Sequence, residues 1–220
     1  MQFSCMRIFL KIFFSLFFIT ATYAVVVRYY RSPAGFKHTQ SSNRRMPGKT
    51  PLEPDRLRLT VASLKKFIQK NHFNDKICFL ADMDLPSGMN RFFVYDINKD
   101  SVLLSGLVAH GSCDDGFQAS PGFSNKVNSG CTCIGKFRIG SSYNGKFGLA
   151  YKLYGLDSSN DQAFERNIVL HAYKCVPERE TYPLPICNSR GCPMVSPGFL
   201  EKLRVYIDRS DRPVLLTIFR

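Results

Sequence analysis

Residues 171–196 have the sequence HAYKCVPERETYPLPICNSRGCPMVS, which places a histidine, a glycine turn and a cysteine on one stretch of chain. The segment before it ends in an apolar, β-branched run, which predicts a buried strand that presents His171 at its C-terminal end. Gly191 allows a tight bend immediately before Cys192, so that backbone amides come close to whatever the sulfur attacks. A thiol is a poor nucleophile at neutral pH until a base acts on it, and His171 is the candidate base. Spacing alone does not separate a catalytic pair from two structural residues, because their contact depends on the fold.

The composition limits the class of protein. The chain has 220 residues, of which 45% are hydrophobic, enough for one globular domain with an extension. Its net charge of +13 favours an anionic partner, such as nucleic acid, phospholipid head groups or an acidic wall polymer. The sequence has no zinc-finger spacing, arginine-rich arm or base-stacking motif. We therefore expect no nucleic-acid partner.

The N-terminus predicts export. Arg7 and Lys11 precede an uninterrupted, Phe-rich apolar run over residues 12–27, an arrangement typical of a signal peptide or signal anchor. The small-x-small sequence at residues 22–24 favours cleavage, whereas an apolar segment extended to residues 8–27 approaches the length that spans a bilayer. Both alternatives, a cleaved signal peptide and an inner-membrane anchor, place the protein in the periplasm or cell envelope.

The rest of the chain divides into a linker and a domain. Residues 28–53 are rich in Arg, Ser, Pro, Gly and Asn, which predicts a flexible linker. Apolar residues at helical spacing predict a helix over 54–71, and Pro197 opens a shorter one over 197–206. Strands are predicted over 76–82, 91–97, 102–109, 134–139, 149–154, 167–171 and 214–219. This pattern predicts a mainly β domain over residues 54–220, a largely antiparallel sandwich or barrel with one or two short helices.

The cysteines of an exported chain are expected to form disulfides. Cys5 belongs to the predicted signal segment, and a free Cys192 leaves six cysteines, compatible with three bridges of open connectivity: Cys78, Cys113, Cys131, Cys133, Cys175 and Cys187. A bridge between Cys175 and Cys187 is attractive because it closes the loop between His171 and Cys192. Zinc is the rival explanation, with ligand types at His110, Cys113, Cys131, Cys133 and His171. The CxC spacing is unusual for zinc, so we predict no metal site.

From about residue 92 onward, several short motifs occur in an order that resembles one family. They are Val108-Ala109-His110-Gly111-Ser112, Phe123-Ser124-Asn125, Ile134-Gly135 to Gly140, residues 143–149, residues 153–157, residues 160–166, Ile168-Val169-Leu170-His171 and Ser189-Arg190-Gly191-Cys192-Pro193. Together they resemble the bacterial murein L,D-transpeptidase catalytic domain family (YkuD-like), in its branch of small exported members. The family's mixed, mostly β fold agrees with the strand pattern.

The resemblance implies cysteine acyl transfer on peptidoglycan stem peptides, without a cofactor. Cys192 would attack the carbonyl of an L-centre that precedes a terminal D-residue, and His171 would take the thiol proton. The tight turn makes the amides of Gly191 and Cys192 the candidate oxyanion hole. Attack of a second stem's amine on the thioacyl-enzyme would make a crosslink, whereas attack of water would make the enzyme an L,D-carboxypeptidase.

Three further residues are candidates for substrate binding, each with a structural alternative. Arg190 pairs with a substrate carboxylate or is a solvated surface residue, and Ser189 faces the cleft or bonds within the turn. His110 lines the cleft or has a structural role before a long loop. The chain departs from the family pattern at Ala172, where the family has Gly, and in the Cys- and Pro-containing loop 173–188.

A second class of function remains open. The same scaffold without catalysis would serve as a cell-envelope binding domain, held to the anionic wall by the charge of +13. Salt-sensitive binding to the wall without need of Cys192 or His171 would distinguish it. The presence of a nucleophile type beside a glycine turn favours the enzyme. The sequence does not predict an oligomeric state.

Overall fold

The computed structural model describes residues 54–220, and the predicted signal segment and linker lie outside this range. Helix α1 (Pro54–Lys70) carries a stripe of buried side chains, Leu57, Val61, Leu64 and Ile68, with lysines on the opposite face. This is the spacing that fixes one apolar helix face against a sheet. Within residues 54–220, no helix is long and apolar enough to cross a membrane.

The strands form one nine-stranded sheet. They are β1 (Ile77–Asp82), β2 (Phe92–Asp96), β3 (Ser101–Gly106), β4 (Val108–Ala109), β5 (Gly135–Gly145), β6 (Gly148–Gly155), β7 (Val169–Ala172), β8 (Met194–Val195) and β9 (Leu215–Phe219). The spatial order is β3-β2-β1-β9-β5-β6-β7-β8-β4, with parallel pairing for β1–β9 and β7–β8 and antiparallel pairing elsewhere.

The two edges of the sheet are neighbours in sequence. Edge strands β3 and β4 are separated only by Leu107, so the sheet must curl until its edges nearly meet. The guanidinium of Arg91 strengthens this junction by donating two hydrogen bonds to the Val108 carbonyl, at 3.0 and 2.9 Å. The prediction of a mainly β domain with one or two helices is confirmed.

Both faces of the sheet's central part are buried. Phe79 and Ala81 of β1 face an inner core that includes Phe199 and Leu203 of helix α2 (Pro197–Asp208). The intervening Cys78 and Leu80 face α1 in a second apolar layer. Because both faces are covered, β1 is a continuous apolar run and does not alternate with polar residues.

Three features of the strands differ from the sequence prediction. The predicted strand 102–109 is divided at Leu107 into β3 and β4, and at Gly106, the last residue of β3, a Cβ would come within 2.7 Å of the Phe199 ring. The β5–β6 hairpin is longer than predicted and reaches Gly145 and Gly148, which extends it towards His171. Strand β8 was not predicted, since two residues are too short for a recognisable period.

Candidate active site

A cavity of about 560 Å³ is lined by both His171 and Cys192. Strand β7 delivers His171, and its parallel partner β8 begins at Met194, which lies opposite His171 in the register. Cys192 lies two residues before the start of β8. The two neighbouring strands therefore bring His171 and Cys192 to the same cavity. Three aromatic residues, Phe117, Phe147 and Tyr173, are among the other residues that line it.

His171 is held in one tautomer. Its Nδ1 lies 3.1 Å from the carbonyl oxygen of Ala172, and because a carbonyl can only accept, Nδ1 carries the proton. The other nitrogen, Nε2, then has the lone pair that a base needs. Burial lowers the pKa of His171, and the bond to Ala172 opposes this in part, so the imidazole is neutral at pH 7. Ala172 continues β7 without a left-handed backbone, so replacement of the family's glycine leaves the strand regular.

Cys192 is a half-buried thiol. Its Sγ lies 3.8 Å from the carbonyl oxygen of Asn167, an acceptor that stabilises the protonated form. Burial raises the pKa of Cys192, with the Val169 backbone amide and the charge of Arg166 acting in the opposite direction. The cavity therefore holds a neutral thiol and a neutral imidazole.

The turn before Cys192 is fixed by its own hydrogen bonds. Gly191 has φ +104°, and a Cβ there would lie 2.6 Å from the Cys131 carbonyl oxygen, so that only glycine fits. The Ser189 hydroxyl donates to the Cys192 carbonyl at 2.6 Å and accepts from the Gly191 amide at 3.2 Å. Ser189 thus bonds within the turn, and it also lines the cavity. Because the Gly191 amide is bonded to Ser189, the Cys192 amide is the better placed of the two candidate oxyanion-hole donors, and their role stays a prediction.

Arg190 lies at the rim of the cavity. Its side chain is 82% exposed, and its Nη2 is 3.1 Å from Asp114 Oδ1. An exposed ion pair of this kind contributes little to stability. The guanidinium is therefore free to exchange Asp114 for a carboxylate of a bound substrate.

His110 does not line the cavity, in contrast to its prediction as a substrate-binding residue. It is fully buried, and the Nη2 of Arg91 donates to its Nδ1 at 2.8 Å. Its Nε2 therefore carries the proton and donates to the Gln118 carbonyl at 3.1 Å. The Asn188 side-chain amide donates to the same carbonyl at 2.9 Å. Burial, with Arg91 adding to it, lowers the pKa of His110 to about 4.

These contacts make His110 part of a support behind the Cys192 turn. The Ser189 amide donates to the His110 carbonyl at 2.8 Å, and the Ser112 amide donates to the Ser189 carbonyl at 3.0 Å. Asn188 in turn accepts from the Gln118 amide at 2.7 Å. The loop 111–130 and the turn are thus fastened to each other through backbone groups, which a sequence motif does not display.

The family is identified by comparison with known domains. A family model described as the L,D-transpeptidase catalytic domain matches residues 49–214, most of the chain. The chain belongs to the L,D-transpeptidase catalytic domain family. The resemblance inferred from the short motifs is confirmed.

Solved structures of related proteins are similar to this L,D-transpeptidase domain at low sequence identity. The helical cell shape determining protein Pgp2 from Campylobacter jejuni is 16% identical over 64% of this chain and 46% of that chain, with a TM-score of 0.41. The Ldtfm–avibactam carbamoyl enzyme is 11% identical over 67% of this chain and 50% of that chain, with a TM-score of 0.42. L,D-transpeptidase 1 of Mycobacterium tuberculosis is 14% identical over 66% of this chain and 62% of that chain, with a TM-score of 0.33. The chain thus spans about half the length of the first two. No curated protein matches.

Two disulfides fasten the loops of this L,D-transpeptidase domain. Cys175 is bonded to Cys187, the pairing that the sequence favoured, and Cys113 is bonded to Cys131. A third bridge, with which the six cysteines were compatible, does not form, because Cys78 and Cys133 are buried free thiols. They cannot meet, since they lie in the two apolar layers on opposite faces of the sheet. Within residues 54–220, no three metal-ligating side chains gather in one place.

Arg166 and Asn167 are site residues that the sequence analysis did not single out. Arg166 donates to the Ser124 carbonyl at 2.7 Å and to the Cys131 carbonyl at 2.5 Å, which holds the long loop against the Cys192 turn. Asn167 has φ +54° and turns its carbonyl towards Cys192. These two polar residues stand immediately before a buried apolar strand. Their position was the sequence feature that could have indicated a role at the site.

Proposed function

We propose that this protein is an exported cysteine acyltransferase that acts on peptidoglycan stem peptides, with Cys192 as nucleophile and His171 as base. The observation that carries the proposal is the shared cavity, in which a half-buried thiol and a neutral imidazole with a free Nε2 face the same space. Family membership supports the substrate class.

The proposed reaction begins with proton transfer from the Cys192 thiol to Nε2 of His171. The sulfur attacks the carbonyl carbon of the L-centre, and the Cys192 amide donates to the oxygen that becomes negative. The C–N bond to the terminal D-residue then breaks, and the imidazolium returns its proton to the leaving amine. The product is a thioester on Cys192.

The second half of the reaction transfers the acyl group. An amine from a neighbouring stem attacks the thioester carbonyl, and His171 takes a proton from that amine. The C–S bond breaks, and the sulfur recovers the proton from His171. With water in place of the amine, the same steps give carboxypeptidase activity.

Export is supported by two independent features. Residues 1–27 have the charge and apolar pattern of a signal peptide or anchor. The domain also carries two disulfides, which persist in oxidising compartments such as the periplasm. We propose that the domain acts in the periplasm or cell envelope.

The test is intact-mass spectrometry after incubation with a carbapenem-type or tetrapeptide acyl donor. Wild type is expected to gain one covalent adduct, and Cys192→Ala none. Cys133→Ala is the matched control, because it removes a buried thiol that does not line the cavity and should leave the adduct unchanged. An equal adduct on Cys192→Ala, or none on folded wild type, would overturn the proposal.

A further inference from the structure

A cluster of two cations and three aromatic rings covers one part of the β5–β6 hairpin. The Arg138 guanidinium lies 4.0 Å from the Tyr154 ring centroid, and that ring stacks on Phe164 with centroids 5.2 Å apart. The Lys152 ammonium lies 5.1 Å from the Tyr143 centroid and 5.6 Å from that of Phe164. We call these five residues the hairpin cation cluster.

The cluster lies on the same face of the sheet as His171. In the register, Ala150 is opposite His171 and Lys152 is opposite Val169, and residues paired in this way project to the same side. Alternate residues share a face, so Tyr154 projects with Lys152, and Arg138 is the partner of Tyr154. At about 3.4 Å per residue, Lys152 lies roughly 7 Å and Tyr154 roughly 14 Å along β6 from the position opposite His171.

Neither cation of the cluster is neutralised by the domain. Among residues 54–220, Arg138 and Lys152 have no salt bridge, whereas the nearby Lys136 contacts Asp157 at 2.5 Å. The aromatic rings hold the two cations in place and so reduce the entropy that long side chains lose on binding. The result is a fixed pair of positive charges, without an ionic partner, on the same face of the sheet as His171.

The fold makes room for this arrangement at one glycine. A Cβ on Gly140 would lie 2.5 Å from the Tyr154 ring, and Gly140 has no left-handed φ that would itself demand glycine. The missing side chain therefore lets the Tyr154 ring lie across β5, where Arg138 covers it. Because the ring already contacts a guanidinium and a second ring, it offers little free surface for a sugar to stack on.

We propose that the hairpin cation cluster binds the free carboxylates of the acceptor stem peptide. The inference rests on the proposed function, since an acceptor is needed only where a thioester forms on Cys192. An extended peptide advances about 3.3 Å per residue, so a few residues span the distance from an amine at the cavity to Lys152 and Arg138. Carboxylates complement these two charges, and a guanidinium binds them through two parallel hydrogen bonds.

The test compares two double variants of the full-length chain that remove the same charge. Arg138→Gln with Lys152→Gln removes both cations of the cluster. Lys66→Gln with Lys202→Gln is the matched control, since both lysines are exposed on α1 and α2. In the cluster variant, the rate of Cys192 acylation should be unchanged, and KM for an acceptor stem peptide should rise at least about tenfold. The control should stay within about twofold of wild type.

Two further measurements separate the possible causes. An acceptor peptide with amidated carboxylates should bind wild type as weakly as the unmodified peptide binds the cluster variant. The cluster substitutions should not weaken binding of the amidated peptide any further. Equilibrium binding of the acceptor peptide to Cys192→Ala, measured by fluorescence anisotropy with and without the cluster substitutions, needs no chemistry. Loss of that binding supports the inference even if wild type forms no thioester, in which case only the proposed function fails.

Three results would overturn the inference while leaving the proposed function intact. One is an unchanged acceptor KM in the cluster variant, and another is an equal rise in the matched control. The third is that a glycan strand without stem peptides competes for acceptor binding as effectively as the stem peptide does. Gly140→Ala, which displaces the Tyr154 ring, should weaken acceptor binding in the same direction as the cluster variant.

Discussion

The Nδ1 proton of His171 is donated to the backbone carbonyl of its neighbour, Ala172, over 3.1 Å. A backbone carbonyl cannot be protonated or rotated away at neutral pH, so the tautomer is set by strand β7 itself. No acidic side chain is needed to orient the imidazole. The base of the proposed pair is therefore built into the sheet, and its pKa is lowered by burial.

The first prediction concerns the pH dependence of acylation. Since the pKa of His171 is lowered from 6.5, the imidazole stays neutral below that pH, and the rate should rise with pH through a midpoint below 6.5. At pH 6.5 the rate should exceed half of its plateau. His171→Gln should lower the plateau by roughly 10²–10⁴-fold and remove this acid limb. Stopped-flow measurement with a chromogenic acyl donor provides the profile, and a midpoint above 6.5 would contradict the prediction.

The second prediction concerns Phe147, whose ring stacks on the His171 imidazole with centroids 5.0 Å apart. Phe147→Ala removes this cover from the edge of the cavity and admits water to the imidazole. Because burial is the main cause of the lowered pKa, the pKa of His171 should rise towards its ordinary value. An NMR titration of the imidazole resonances measures the change.

Phe117→Ala is the control for that experiment. Phe117 lines the same cavity and is also exposed, but no stacking contact joins it to His171. Its removal should leave the His171 titration unchanged. Equal shifts in both variants would show that general opening of the cavity, and not the stacked ring, sets the pKa.

The third prediction separates backbone strain from crowding at Gly191. Gly191→Ala places a Cβ at φ +104° and 2.6 Å from the Cys131 carbonyl, so it should lower the free energy of unfolding by at least about 2 kcal/mol and abolish acylation. Gly148→Ala is the matched control, with φ +80° and no atom within 4 Å of the new Cβ. It should cost about 1 kcal/mol and retain acylation. Urea unfolding compares the two, and equal losses would remove crowding as the cause.

The sequence predicted the parts of the fold that depend on local periodicity. The helical stripe of α1 and the apolar runs of β1 and β9 are each recognisable within their own residues, and the structure confirms these elements close to the expected bounds. The division at Leu107, between β3 on β2 and β4 on β8, and the two-residue β8 depend instead on pairing with strands remote in sequence. Neither leaves a pattern in the residues that form it.

The candidate site was predictable to the same extent. The motifs indicated that His171 and Cys192 belong to one site. The structure places both at one cavity, because β7 and its neighbour β8 bring them together. The bond from the Gly191 amide to the Ser189 hydroxyl could not be predicted, because it depends on the conformation of the turn. The choice between the two alternatives for His110 was open for a similar reason, since its partner Arg91 lies on the other side of the sheet junction. Side chains whose partners are remote in sequence cannot be assigned from motifs.

The fourth prediction counts thiols in the domain. Peptide mapping after maleimide labelling of the native, non-reduced protein should find Cys192 modified within residues 54–220, because the other two free thiols are buried. Labelling in denaturant without reductant should add Cys78 and Cys133. Detection of a Cys78–Cys133 bridge would contradict the structure.

The last prediction concerns stability in acid. The folded protein holds the pKa of His110 at about 4, below the value of 6.5 that it has when exposed, so the unfolded state binds more protons between these pH values. The stabilising contribution of neutral His110 is complete above about pH 6.5 and is lost as the pH falls, up to about 3 kcal/mol by pH 4. His171, whose pKa is also lowered, adds to the loss in the same direction.

Replacement of His110 tests this origin of acid sensitivity. His110→Gln should lower the free energy of unfolding at pH 7, since Arg91 loses the acceptor at 2.8 Å, but it should also flatten the fall between pH 6.5 and 4. His72→Asn is the control, because His72 is exposed and its left-handed backbone, at φ +55°, accommodates asparagine. That variant should keep the wild-type slope. A slope that is unchanged in His110→Gln would place the acid sensitivity elsewhere, with the carboxylates the next groups to replace.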